Sequence, residues 1–165
     1  MNHASSNINW PPHITVACIV EKDGKFLLVE ELSRGKLVYN QPAGHLEPNE
    51  TLIEACIRET YEESGWLVEP THVLGISKYI AEHSGTIYYR TTFIAKPIKH
   101  DETAKLDEGI HQALWLDLKT LQQNPDKLRS PLVIKNIEQY LNGERYPLSI
   151  IDEWYIKPAQ QDLFI

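Results

Sequence analysis

The sequence predicts an α/β fold in which a mixed β-sheet is covered by helices on both faces. Apolar, β-branched runs come in pairs around turn residues, as in hairpins. One helix-patterned segment lies between these pairs and another near the C-terminus, so that each sheet face has a helix to cover it. At 165 residues, 42% hydrophobic and 24% charged, the chain suits one domain over 1–165 with a sizeable core.

In order, "HITVACIV" from His13 is a strand, "EKDGK" carries an Asp-Gly turn, and "KFLLVEEL" resumes the strand pattern. After a polar loop at "SRGK", "LVYNQPAGHLEPNE" holds a short strand punctuated by Pro42, Gly44 and Pro48. A helix follows, capped by Asn49 or by Thr51, which forms a capping box with Glu54, and ended by Gly65. "HVLGISKYIAEH" and "TIYYRTTFIAKP" form a second hairpin through Ser84-Gly85, and "HQALWLDL" is one more strand. "DLKTLQQN" reads as a short helix. "SPLVIKNIEQYLNGE" reads as a longer one, with Ser130 at the N-cap, Pro131 at N1 and Gly143 past its end. The aromatic tail from Tyr146, with Trp154 and Tyr155, is expected to pack onto the body.

No apolar run reaches the roughly 18 residues a membrane helix needs. "MNHASSNINWPPH" lacks the basic and apolar regions of a secretion signal, so a cytoplasmic protein is expected. Cys18 and Cys56, without any C-x-x-C pairing, are expected as free buried thiols. A net charge of −7 argues against a nucleic-acid polymer as partner, because binding a phosphate backbone normally takes a basic surface. An anionic ligand would need a bridging cation.

That cation has an expected place. With residues set about 100° apart around the helix axis, Leu52, Ala55, Cys56, Glu59 and Glu63 share one side, and Glu62 lies near its edge. The packing stripe therefore begins apolar and ends in carboxylates. Like charges at this spacing repel, and the negative end of the helix dipole disfavours them further. A hard dication on oxygen ligands resolves the conflict, Mg²⁺ best of all, with Mn²⁺ as a substitute.

Gly44, Glu50, Arg58, Glu59, Glu62, Glu63, Gly65 and Trp66 fill the spacing of the Nudix box, so the chain resembles the Nudix hydrolases. Thr60 stands where the box usually has an apolar residue. "GKFLLVEE", "NQPAGHLE", "RSPLV" and "GERYPL" carry the similarity further, toward a bacterial phosphatase branch of the family. The resemblance implies a Nudix α/β/α sandwich in which the box, 44–66, forms a catalytic loop-helix-loop beside a mixed sheet. It also implies Mg²⁺-dependent hydrolysis of nucleoside di- and triphosphates and of thiamine-related pyrimidine diphosphates.

Carried onto this chain, the resemblance makes Glu59, Glu62 and Glu63 the metal ligands, with Glu62 or Glu63 activating the attacking water. Arg58, on the opposite arc, suits a salt bridge that orients Glu59 or Glu50. The family's additional acid, ahead of the late tryptophan-bearing strand, falls in "KLDEGIHQALW", where Asp107 and Glu108 compete and Glu108 is the candidate. Gly44, His45, Asn40 and Gln41 are candidate substrate contacts. Tyr39, Tyr79, Tyr88 and Tyr89 offer rings to stack on a base. Two rival functions remain open: a pyrophosphohydrolase of ADP-ribose-like or dinucleotide substrates, and a non-catalytic nucleotide-binding module of the same fold. A small phosphoanhydride substrate, no membrane, and a monomer with a dimer as the alternative complete the expectations.

Overall fold

The structure, a computed structural model, describes residues 9–154. Strands β1 (Asn9–Lys22) and β2 (Lys25–Ser33) meet at Asp23-Gly24, and β2 and β3 (Lys36–Asn40) meet at Arg34-Gly35. All four turn residues have positive φ, as a two-residue turn between right-twisting strands requires. The polar "SRGK" segment is thus a tight hairpin turn. After the three-residue β4 (Ala43–His45) comes α1 (Leu52–Ser64). Next are β5 (Trp66–Ile80), β6 (Thr86–His100), β7 (Ile110–Leu116), α2 (Leu118–Gln122), α3 (Leu132–Leu141) and β8 (Tyr146–Pro147).

The mixed sheet runs β3-β2-β1-β6-β5-β8, with β4 added to β1 and β7 to β2. The β1–β6 pair is parallel and the other pairings are antiparallel. Alternation sorts the core onto two faces. Val16, Cys18, Val20 and Phe93 point toward Ala55 and Cys56 of α1. Ile19, Leu28, Leu74 and Ile94 point toward Leu121 of α2 and Val133 and Ile137 of α3. Each such side chain, fully buried, contributes roughly 1.5–3 kcal/mol. The chain is the expected helix-covered mixed sheet. Cys18 and Cys56 are free and buried, and the neighbouring Cys18 thiol, with burial, pushes the Cys56 thiol upward.

The caps follow the expected chemistry. Thr51 and Glu54 form the reciprocal capping box, and Gly65 closes α1 at φ 70°. Ser130 Oγ accepts from the Leu132 N–H at 3.3 Å, and Pro131 has helical dihedrals, so α3 starts where the serine and proline place it. The tail divides. Leu148 and Ile151 pack on the α1-side core, and the Glu153 carboxylate accepts from Leu52 N–H at 3.1 and 3.2 Å, adding negative charge at the start of α1. Trp154, expected to pack, is 84% exposed, because the chain is held at Ile151 and Glu153 and its ring projects past the anchor; Tyr155 lies outside the described residues.

Candidate active site

Helix α1 buries the side that the sequence marks as acidic. Ala55, Cys56, Glu59, Thr60, Glu63 and Ser64 are its buried residues, and Glu62 stands half-buried beside them. Thr60, in the place of an apolar residue, is fully buried and returns its hydroxyl to Cys56 O at 2.7 Å, leaving no unmatched donor.

Arg58 ties the acids together. Its Nε and Nη2 donate to the two oxygens of Glu50 at 2.9 and 2.7 Å, a bidentate pair. Nη1 donates to Glu59 and to Glu62 at 2.9 Å each, and Nη2 reaches His45 O at 3.0 Å. One guanidinium thus fixes the loop before α1 and two carboxylates on α1. Arg58 holds the Glu50 carboxyl below its ordinary range. Burial raises Glu59 despite that arginine. For Glu63 burial wins outright and pushes the carboxyl up to about 8, even though the Ala43 N–H donates to its Oε2 at 2.8 Å.

Oxygens of Glu59, Glu62 and Asp107 lie within 4.8 Å of one another. The residues fit a hard dication: they offer only oxygen, they converge, and a Cβ on Gly44 would fall inside the Glu59 carboxylate, so only glycine leaves that oxygen pair its place. Glu63, expected with them, gives its Oε2 to the Ala43 N–H and, among the described residues, keeps Oε1 free. Of the two loop acids that competed, Asp107 and not the candidate Glu108 lies in this group. Both are exposed, but the Asp107 N–H donates to Glu62 O at 3.0 Å, pinning that residue to the end of α1, while Glu108 follows on the approach to Gly109, φ 92°.

Strand β4 is also a wall of a cleft of about 800 Å³. Gly44 faces Glu59 on the α1 side, and the register His45–Thr15–Arg90 across β4, β1 and β6 sets the next position on the opposite face, into the cleft. His45 also touches His13, Nε2 to Nδ1 at 2.9 Å, and burial with that neighbour lowers it. Asn40, Tyr79 and Tyr88 line the cleft too.

Other expected contacts fall elsewhere. Gln41 is 1% exposed and donates to Val133 O at 2.8 Å, anchoring α3 instead of facing the cleft. Tyr39 packs on the α3-side core beneath Lys127, and Tyr89 points outward from β6. The sequence reading missed Arg90 and Glu31, which line the cleft; the signal was a charge at an inward position of each strand.

The NUDIX domain model matches residues 11–137 of this chain. The chain belongs to the Nudix hydrolase family. A Nudix relative, "Phosphatase NudJ" of Escherichia coli strain K12, is 42% identical over 145 residues, spanning 88% of this chain and 94% of that one. A NUDIX hydrolase structure from Nitrosomonas europaea superposes with a TM-score of 0.85 at 43% identity, covering 87% of this chain and 98% of the other. The MutT protein of Methanosarcina mazei Go1, at 21% identity and a TM-score of 0.67, covers 83% and 99% and shares the Nudix fold. This Nudix chain is accordingly a hydrolase acting on a small molecule, and its convergent acids are a candidate site for the divalent metal that Nudix enzymes generally use.

Proposed function

We propose that this Nudix hydrolase is a Mg²⁺-dependent phosphohydrolase that releases orthophosphate from nucleoside di- and triphosphates and from thiamine-related pyrimidine diphosphates. The observation that carries it is the convergence of Glu59, Glu62 and Asp107 beside β4, the strand that also walls the cleft. The similarity to the NudJ phosphatase over nearly its full length supports orthophosphate as product. A net charge of −7 supports small molecules over nucleic-acid polymers. The reading takes the protein to be a cytoplasmic monomer.

Glu59, Glu62 and Asp107 would hold the dication, which would supply positive charge against the phosphate oxygens and acidity for the attacking water. Arg58 fixes the directions of Glu59 and Glu62, so their oxygens are aimed before substrate arrives. Glu63, one oxygen held by the Ala43 N–H, keeps its other oxygen to accept the water's proton. His45, Asn40, Tyr79 and Tyr88 contact the part of the substrate that leaves with the remaining phosphate.

A phosphate-release screen over nucleoside and pyrimidine diphosphates and nucleoside triphosphates with Mg²⁺ tests this. Mg²⁺-dependent orthophosphate release is expected, and Glu62→Gln with Glu63→Gln should abolish it while leaving the fold intact. Two nucleotide-sized products from a dinucleotide, without orthophosphate from any diphosphate, would replace the reading with a pyrophosphohydrolase. Full activity in the double variant would remove both acids from the mechanism.

A further inference from the structure

We propose that Arg90 is a substrate-binding residue whose guanidinium clamps oxygens of the substrate's phosphate chain from the floor of the cleft. The assignment rests on the phosphohydrolase reading above and adds the residue that takes the phosphate oxygens not held at the acidic cluster.

Arg90 lies on β6, opposite Thr15 of β1, which is opposite His45 of β4. All three side chains line the cleft. Its Nε and Nη1 are sealed from solvent and have no hydrogen-bond partner. Among the described residues, Glu31 and Glu63 are the acids near Arg90, and neither hydrogen-bonds its guanidinium. Glu31 Oε1 lies 3.2 Å from Arg129 Nε in an ion pair that does not close into a hydrogen bond. Glu63 gives one oxygen to Ala43 N–H. A planar fork with two donors shut away from water and unmatched is unfavourable. A tetrahedral oxyanion with two free oxygens matches its geometry, which a point-charge lysine would not do as well.

The surroundings agree. Arg34 and Arg129 line the same cleft with Arg90, against Glu31 and Glu82, so its wall leans positive in a chain of net charge −7. Ser130 and Pro131, at the start of α3, also form part of the wall, and the positive end of that helix dipole adds to the same preference.

The test compares wild type, Arg90→Met and Arg90→Lys, each with Mg²⁺ present. Calorimetric binding of an α,β-methylene nucleoside diphosphate should weaken roughly tenfold or more in Arg90→Met, the loss expected for a charge-assisted pair, and recover in part in Arg90→Lys. KM should rise more than kcat falls, and the melting temperature of Arg90→Met should hold or increase, because a buried unmatched charge has been removed. Unchanged affinity in folded Arg90→Met overturns the assignment, and a lowered melting temperature with unchanged affinity makes Arg90 a purely structural residue. Should Arg90→Met fail to fold, the Arg90 Nε–H resonance of wild type decides: it shifts on titration with the analogue, or the assignment falls. Wild type that neither binds nor hydrolyses a phosphoanhydride overturns the phosphohydrolase reading and this assignment together, whereas intact binding in both wild type and Arg90→Met overturns the assignment alone.

Discussion

Replacing Gly44 with alanine isolates the contact that shapes the acidic cluster. The Gly44 φ lies outside the positive range that favours glycine, so alanine meets no backbone penalty there. Its Cβ would overlap Cδ and both oxygens of Glu59. Glu59 is 8% exposed and held by Arg58 Nη1 at 2.9 Å, so it cannot swing freely into water. It must leave its rotamer or push β4 away. An off-rotamer side chain costs about 0.5–1.5 kcal/mol and overpacking about 1–3 kcal/mol, so roughly 1–3 kcal/mol of stability should be lost. At about 2–4 °C per kcal/mol for a chain of this size, the melting temperature should fall by several degrees. Activity should suffer far more, because a displacement of about 1 Å at a reacting site can cost on the order of 10²-fold. Thermal unfolding, Mg²⁺ titration and phosphate release on the same sample separate the two effects. If Gly44→Ala melts within a degree or so of wild type and keeps kcat/KM within about threefold, Glu59 does not need this glycine and its carboxylate is not positioned as described.

The loop acids give a paired prediction: Asp107→Asn should weaken Mg²⁺ or Mn²⁺ binding about 10–100-fold, read by the metal-induced rise in melting temperature, and Glu108→Gln should leave it unchanged. Equal effects of the two would return Glu108 to the site. In metal-free protein, Glu63 has a folded pKa of about 8 against an ordinary 4.5, so the folded state binds its proton more tightly than the unfolded state. Its contribution is then fully present below pH 4.5 and lost as the pH rises to about 8. Melting temperature in chelator should fall over that window more steeply for wild type than for Glu63→Gln, and parallel curves would mean that Glu63 is not buried as a neutral acid.

The parts of this molecule legible from sequence were those governed by neighbours along the chain. Asp23-Gly24, the Thr51–Glu54 capping box, Gly65 and Ser130-Pro131 each act within a few residues of themselves, and each is where the pattern puts it. The acidic side of α1 was legible for the same reason, since helical geometry alone sets which residues share a side. What escaped depended on contacts across the fold. Glu63 satisfies Ala43 N–H, twenty positions away, and Gln41 satisfies Val133 O, ninety-two away. Neither partner can be found by spacing, and for Gln41 it places the side chain in the α3-side core, away from the cleft. Trp154 erred in the other direction, because aromatic composition predicts packing only when a complementary surface comes within reach.

In the proposed reading, Asp107 and Arg90 complete a site that one helix cannot. Glu59 and Glu62 come from a single helix, where like charges repel and, among the described residues, only Arg58 pairs with them. Asp107 is brought to them by one backbone hydrogen bond to Glu62 O, so ligand convergence depends on a loop that ends at the positive-φ Gly109. Arg90 comes from β6, across β1 from β4, and lines the cleft on the face of β4 away from Glu59. Acids that repel one another on one side of a strand and an unmatched cation on the other are each unfavourable alone. A dication neutralises the first and a phosphate oxyanion the second, and a metal-bound polyphosphate brings both charges in one ligand. The unfavourable electrostatics of the free protein therefore become binding energy for a ligand of that charge pattern, which is why removing Arg90 should stabilise the empty fold while weakening the complex.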